Sequence, residues 1–353
     1  MAAVELSRRP GAVAVRIRSA SAVVRPREVV VCLLLLLGCA VAFAVGISIG
    51  DYPIPLDDVV AALFGVGKKG TLFVIGELRL PRAVLAVLVG IAFGISGALF
   101  QTLTRNPLAS PDMIGLTSGA ATAAVAGLAF GFGSGLGTQA LGLVGGVATA
   151  LLIYALAWKQ GASGYRIVLV GIGVSWMCTS ATSYLLVKAE MWEAQQILRW
   201  LVGSLNGSDW SHIGPLSVAV AVLVVAVAAM SRWLRLMELG PEVATGLGVP
   251  VRVAQPAIIL AAAGLAAFAT AATGPIVFVA LTAPQIAQRL VGRSSPPIAA
   301  SALTGALLVL SADLVARRAI PGVLMPIGVV TGALGGLFLL WLLTRANRVG
   351  TGG

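Results

Sequence analysis

The chain has 353 residues, of which 58% are hydrophobic and 10% are charged, and its formal net charge is +11. Soluble domains average about 25% charged residues, whereas the mean hydropathy of this chain is +0.99. The composition excludes a soluble globular enzyme and indicates a protein that crosses a membrane many times. In a soluble protein a charge of +11 would suggest nucleic-acid binding, so the positions of the charges have to be examined first.

Apolar runs, separated by polar, proline or glycine breaks, predict ten membrane-spanning helices. They cover residues 29–49, 79–101, 113–132, 138–158, 166–187, 213–232, 255–273, 277–291, 298–316 and 325–343. The predicted organisation is a basic N-terminal arm (1–28), a single transmembrane domain (29–345) that includes the polar segment 233–254, and a short tail (346–353).

The Lys and Arg residues are distributed unequally between the two sides that these spans define. With the N-terminus in the cytoplasm, sixteen of them lie on the cytoplasmic side and eight on the other. The sixteen are Arg8, Arg9, Arg16, Arg18, Arg25, Arg27, Arg105, Lys159, Arg166, Arg232, Arg235, Arg252, Arg289, Arg293, Arg345 and Arg348. The positive-inside rule therefore predicts that both termini are cytoplasmic. This topology also explains the excess charge without nucleic acid.

Residues 79–119 contain the most specific motif of the chain. The segment opens with RLPR, continues as an unbroken apolar run over 83–100, and ends at a polar break with two prolines. Its pattern GxxxxxSGxxxQxxxRNPLAxPxxxGxxxGA resembles the permease subunits of bacterial ABC importers for iron-siderophores, haem and cobalamin, the FecCD family. The segments GPIVFVALTAPQIAQRLVG and SALTGALLVLSADLVAR, near the C-terminus, resemble the same family.

The resemblance covers about residues 30–345 and implies an all-α polytopic membrane protein. The implied fold is that of a type II ABC importer permease, with about ten spans and inverted repeats formed by spans 2–5 and 7–10. The implied partners are a second permease subunit (identical or different), two cytoplasmic ABC ATPases, an extracytoplasmic substrate-binding protein and membrane lipid. The implied function is passage of a ferric siderophore, or of haem or cobalamin, across the bacterial inner membrane.

Two breaks occupy similar places in the two halves, namely Asn106-Pro107 and Gly274-Pro275. Interrupted helices at matching positions of two repeats indicate the transport path. Gln101, Asn106, Pro107, Gly274 and Pro275 are therefore candidates for the path or its gate.

Segment 233–254 predicts a short helix after the sixth span, with Pro241 in its first turn and Glu242 at its positive end. The alternatives are an interfacial helix that lies on lipid and a docking helix for an ATPase. The segment resembles the family's LGxEVAxxLGV coupling motif at Leu239, Gly240, Glu242, Val243, Ala244, Leu247 and Gly248. Thr245 stands where the family often has a basic residue.

Basic residues on the predicted outer side need a reason, because topology disfavours them there. The eight are Lys68, Lys69, Arg79, Arg82, Lys188, Arg199, Arg317 and Arg318. One explanation is snorkelling, or ion pairing with neighbours such as Asp313, which precedes Arg317 by one helical turn. The resemblance implies instead that Arg79, Arg82 and Arg317 receive carboxylates of the binding protein.

The sequence contains no GxSxG, HExxH or GxxxxGK[ST] motif, so it predicts neither an enzyme nor a resident metal or cofactor. The alternative function is a gradient-driven carrier or exporter without an ATPase. Such carriers keep ionisable residues in mid-membrane, and the predicted spans contain almost none. Three positions depart from the family pattern: Gln285 replaces a His, Gln288 an Arg and Leu324 a common Glu.

Overall fold

The computed structural model describes residues 4–9, 12–17, 20–50, 52–112, 115–131, 136–157, 164–320 and 324–349. Ten helices of this part of the chain correspond to the ten predicted spans. They are α1 (Pro26–Ser48), α4 (Leu80–Thr104), α5 (Leu116–Ala129), α6 (Leu136–Ala157), α7 (Gly164–Lys188), α9 (Trp210–Ala229), α12 (Val251–Thr273), α13 (Val279–Val291), α14 (Ile298–Arg318) and α15 (Ile327–Val349). Shorter helices are α2 (Leu56–Leu63), α3 (Lys69–Phe73), α8 (Met191–Leu201), α10 (Ser231–Met237) and α11 (Pro241–Gly246), and a π-helical turn, Val74–Arg79, joins α3 to α4.

The helices differ in how completely they can cross a bilayer. Six of the described helices are long and apolar enough to do so individually, and α9 continues into α10 through a bend of 57°. In contrast, α5 has only 14 residues and α13 only 13. At about 1.5 Å per residue these two helices reach roughly 20 Å, well short of a hydrocarbon core of about 30 Å.

Both α5 and α13 follow a long helix and a break, so the two halves repeat one arrangement. In the first half α4 is followed by residues 105–115 and α5, and in the second half α12 is followed by residues 274–278 and α13. The two breaks meet inside the bundle, where the backbone N–H of Phe278 donates to the carboxylate of Asp112. The two halves thus share one order of elements, and their breaks contact each other.

Small residues allow the backbones of α4 and α14 to approach closely. A Cβ atom at Gly90 would lie 2.4 Å from the carbonyl oxygen of Gly305, and one at Gly94 would lie 2.2 Å from that of Ser301. In lipid, close backbone packing replaces the hydrophobic drive that holds soluble helices together. The face of α4 that carries Gly90 and Gly94 is therefore its packing surface against α14.

The N-terminal arm contains an element that the sequence analysis did not predict. Three strands, β1 (Val4–Arg9), β2 (Ala12–Ile17) and β3 (Ala20–Val24), form an antiparallel sheet in the order β1-β2-β3. Only Arg25 separates β3 from α1. At the other terminus α15 continues to Val349, six residues beyond the predicted span.

Candidate functional site: the two ends of the bundle

Arg79 lies at one end of the bundle, which we call the arginine end, and it is only 8% exposed. Its Nη1 donates to the carbonyl oxygens of Ile47 (2.7 Å) and Ser48 (3.1 Å), and its Nη2 donates to that of Tyr52. Carbonyls at a helix C-terminus have no partner within their own helix. The guanidinium therefore caps α1 and ties it to the start of α4, so the structure gives this proposed docking residue an internal, positioning role.

Arg82 and Arg317 share one carboxylate at the same end. Asp313, which is 2% exposed, accepts from Arg82 Nη2 at 2.7 Å through Oδ1 and from Arg317 Nη2 at 2.8 Å through Oδ2. The predicted pairing of Asp313 with Arg317 on one helix face is confirmed. The second partner, Arg82, could not be predicted from local spacing, because it stands 231 positions from Asp313.

The two guanidiniums still reach the surface, since 14% of the Arg82 side chain and 17% of the Arg317 side chain are exposed. They line a cavity of about 340 Å³ together with Arg79, the exposed Arg318 and Leu324. Asp313 contributes one negative charge, whereas the four arginines that line this cavity contribute four positive charges. The residues around this cavity therefore keep a net positive charge, and the Leu found where the family commonly has Glu adds no compensating carboxylate.

The opposite end of the bundle carries the predicted coupling segment, and we call it the α11 end. Pro241 begins α11 and Glu242 lies in its first turn, as predicted. Leu239, Val243 and Leu247 are 58%, 50% and 54% exposed. Leu239 precedes α11, Val243 lies within it and Leu247 caps its C-terminus, so apolar side chains project outward along the whole of this short segment.

Ala244 behaves differently from these neighbours, because it is fully buried. Helical spacing in the sequence predicts that Val243, Ala244 and Leu247 lie on one side, and this prediction is wrong for Ala244. Instead Ala244 packs into the bundle, and its carbonyl oxygen accepts from the Val249 N–H at 2.9 Å. Gly240 (φ 109°) and Gly248 (φ 83°) adopt left-handed conformations that suit glycine at the two ends of α11.

The break after α4 is fastened to α13 by two glutamines. Gln285 Nε2 donates to Gln101 Oε1 (2.9 Å) and to the Pro107 carbonyl (3.1 Å), and Gln101 Nε2 donates to the Leu281 carbonyl (3.0 Å). Gln101 and Gln285 are 3% and 5% exposed. The two side chains form one wall of a cavity of about 430 Å³ that also borders Leu239.

The remaining path candidates occupy different places. Asn106 is exposed at the α11 end, where its Oδ1 caps the N–H of Leu108. Gly274 (φ 74°) and Pro275 lie toward the other end and pack against the C-terminus of α8. The five candidates therefore do not form one cluster: Gln101, Asn106 and Pro107 lie together, and Gly274 with Pro275 forms a second site.

A multi-pass helical bundle with two broken helices, whose ends carry a basic surface and an apolar surface, has the architecture of a membrane transport permease. The model of the FecCD transport family matches residues 35–345. The ferric enterobactin transport system permease protein FepG of Escherichia coli K12 is 40% identical over 323 residues, covering 91% of this chain and 98% of that protein. The vitamin B12 import system permease protein BtuC of Yersinia enterocolitica is 34% identical, covering 80% and 84%.

A solved inward-facing metal-chelate type ABC transporter superimposes with a TM-score of 0.79 at 26% identity, covering 89% of this chain and 99% of that one. The chain therefore belongs to the FecCD transport family. It is a transport permease and a multi-pass protein of the bacterial inner membrane.

Proposed function

We propose that this chain is the permease subunit of an ATP-driven importer and forms the path for a ferric siderophore. Haem and cobalamin are the less favoured alternative substrates. The observation that carries the proposal is the exposed apolar face of Leu239, Val243 and Leu247, in a chain 40% identical to a ferric enterobactin permease. Two cytoplasmic ATPases bind at the α11 ends of two permease subunits and hydrolyse the ATP, so the permease itself is not an enzyme.

The transport path is proposed to lie between two permease subunits, identical or different. The properties of α7 support this arrangement, because it is the least apolar of the six long spans and also the least buried. In an 18-residue stretch of α7 the mean hydropathy is 1.4 and 17% of that stretch is buried, whereas the corresponding values for α1 are 2.9 and 22%. Thr179 and Ser180 of α7 are polar and exposed. Polar side chains are unfavourable on a helix surface that faces only lipid, so α7 is expected to face the partner subunit and the path.

Uptake by proteoliposomes that contain the permease and its ATPase tests the function. Accumulation of a ferric siderophore should require enclosed ATP and the binding protein, and a protonophore should leave it unchanged. Uptake that follows a proton gradient in vesicles without the ATPase would support the gradient-driven carrier instead.

Topology reporters test the proposed orientation, in which both termini and the α11 end are cytoplasmic. Fusions after Arg166 and Arg252 should report a cytoplasmic location and one after Lys69 an external location, because the Lys and Arg bias favours this arrangement. An external signal at Arg252 would contradict the orientation.

The arginine end is proposed to receive acidic residues of the binding protein. Arg82 and Arg317 keep partly exposed guanidiniums, and Arg318 is exposed beside them, whereas Arg79 positions α1. Surface pairs of this kind are worth about 0.2–1 kcal/mol each and act mainly on association rate and orientation.

Arg318→Glu should therefore weaken binding of the binding protein several-fold, whereas Lys188→Glu, an exposed charge at the end of α7, should not. Affinity should also fall with salt, since the Debye length shrinks from about 10 Å at 0.1 M to about 3 Å at 1 M. Affinity that is equal for all three proteins and unaffected by salt would leave these arginines with a structural role only.

A further inference from the structure

A second and larger cavity lies at the arginine end, and residues of this one chain line it. Its volume is about 740 Å³, which falls in the range of about 300–1,000 Å³ typical of small-molecule sites. Its walls come from α5, α6, α8 and α12 and from the segments that follow α8 and precede α15.

The lining is rich in hydrogen-bond donors. Gln139, Gln196 and Asn206 contribute amides, Trp200 contributes an indole N–H, and Arg199 contributes a guanidinium. Among the described lining residues, Arg199 is the charged one. A cavity with one cation and several neutral donors favours a ligand that presents anionic oxygen atoms, since guanidinium binds carboxylate-like groups through two parallel hydrogen bonds.

The cavity adjoins the basic surface proposed to receive the binding protein. Arg82 Nη1 donates to the side-chain oxygen of Asn206, which lines this cavity, and Leu324 lines both this cavity and the 340 Å³ one. A ligand released beside Arg82 would therefore lie next to this cavity.

The wall of the cavity is joined to the broken helix of the second half. The Ser204 N–H donates to the Thr273 carbonyl at 2.8 Å, and the Gly328 N–H donates to the Gly203 carbonyl at 3.3 Å. A Cβ atom at Gly274 would lie 2.2 Å from the carbonyl oxygen of Trp200. The C-terminus of α8 therefore packs directly on the Gly274-Pro275 break, so contacts made in the cavity bear on a segment predicted to belong to the path.

We propose that this cavity is an entry subsite for the transported chelate and that Arg199 binds its anionic oxygen groups. The inference rests on the proposed import function and specifies the ligand as an anionic, oxygen-rich ferric complex. A purely structural role for Arg199 is the alternative, because it lies in the last turn of α8, where a cation stabilises the helix end.

Chelate binding to the purified permease in lipid nanodiscs, without ATPase or binding protein, tests the inference. The probes are ferric citrate, which is anionic, and ferrioxamine B, which is cationic, and the readout is quenching of tryptophan fluorescence. Arg199→Gln should weaken ferric citrate binding about tenfold, the loss expected for one charged hydrogen bond, and Arg199→Lys should restore part of it. Lys188→Gln should behave as the wild type, and Trp200→Phe should remove most of the quenching.

Ferrioxamine B should bind weakly to the wild type and should not lose affinity in Arg199→Gln, and the thermal midpoint of that variant should stay unchanged. Equal ferric citrate affinity in wild type and Arg199→Gln, or no saturable binding to the wild type, would overturn the inference. A variant that loses affinity only for the binding protein would assign Arg199 to the docking surface and would also overturn it. Failure of ATP-dependent uptake in the wild type, with Arg199-dependent binding intact, would reject the importer function and leave the cavity assignment standing.

Discussion

Replacing Val243 or Leu247 with Asp is expected to abolish uptake while the permease still inserts and folds. Both side chains are about half exposed in this chain, so a carboxylate at either position costs little within the subunit itself. In the assembled importer the same carboxylate would be buried in an apolar groove of the ATPase, which costs several kcal/mol unless the charge is paired. The expected result is normal abundance, loss of co-purifying ATPase and no ATP-dependent accumulation.

Two control variants separate coupling from folding. Val66→Asp places the same charge at an apolar position that is 63% exposed at the arginine end, and it should retain both ATPase binding and uptake. Ala244→Asp introduces a carboxylate at a fully buried position, so this variant should lose abundance rather than coupling alone. Normal uptake in both Val243→Asp and Leu247→Asp would show that the segment only lies on the membrane surface.

Asp313→Asn is expected to be the most destabilising single change at the arginine end. Asp313 is 2% exposed and holds two guanidiniums, so its neutralisation leaves two partly buried positive charges facing each other. Breaking a buried ion pair from one side typically costs about 3–5 kcal/mol. The loss should appear as a lower temperature of irreversible unfolding in lipid nanodiscs.

The triple variant Asp313→Asn, Arg82→Gln, Arg317→Gln provides the matched comparison. Removing all members of a buried ionic cluster is often close to neutral for stability, so this variant should recover most of the lost stability while it still binds the binding protein weakly. Glu77→Gln, an exposed acid at the same end, should change neither property. Wild-type stability in Asp313→Asn would show that the cluster contributes little to the fold.

Local patterns were sufficient to predict the spans and α11. A run of apolar residues specifies a membrane helix wherever it occurs, because unpaired backbone groups cannot remain in lipid. For the same reason the break residues Pro107 and Gly274 could be located without knowing what they contact. The spacing of Val243 and Leu247 likewise predicts that they share one side, and both are exposed.

The roles of individual polar residues could not be predicted in this way. Arg79 and Arg82 stand three positions apart in one motif, yet the first caps α1 and the second pairs with Asp313 on α14. Likewise Gln101 and Gln285 form a hydrogen bond although they stand 184 positions apart in the sequence. Short-range spacing contains no information about such partners, because each depends on which helices become neighbours.

The sequence by itself determined a polytopic membrane protein through its hydropathy and charge bias, and its motifs indicated the family by resemblance, since all three are properties of short segments. Only the tertiary structure decided which arginines are available at the surface, that Ala244 faces inward, and that a cavity containing Arg199 lies beside the arginines proposed for docking. The physical reason is that burial and pairing depend on the packing of distant helices, here held close by glycines such as Gly90 and Gly305.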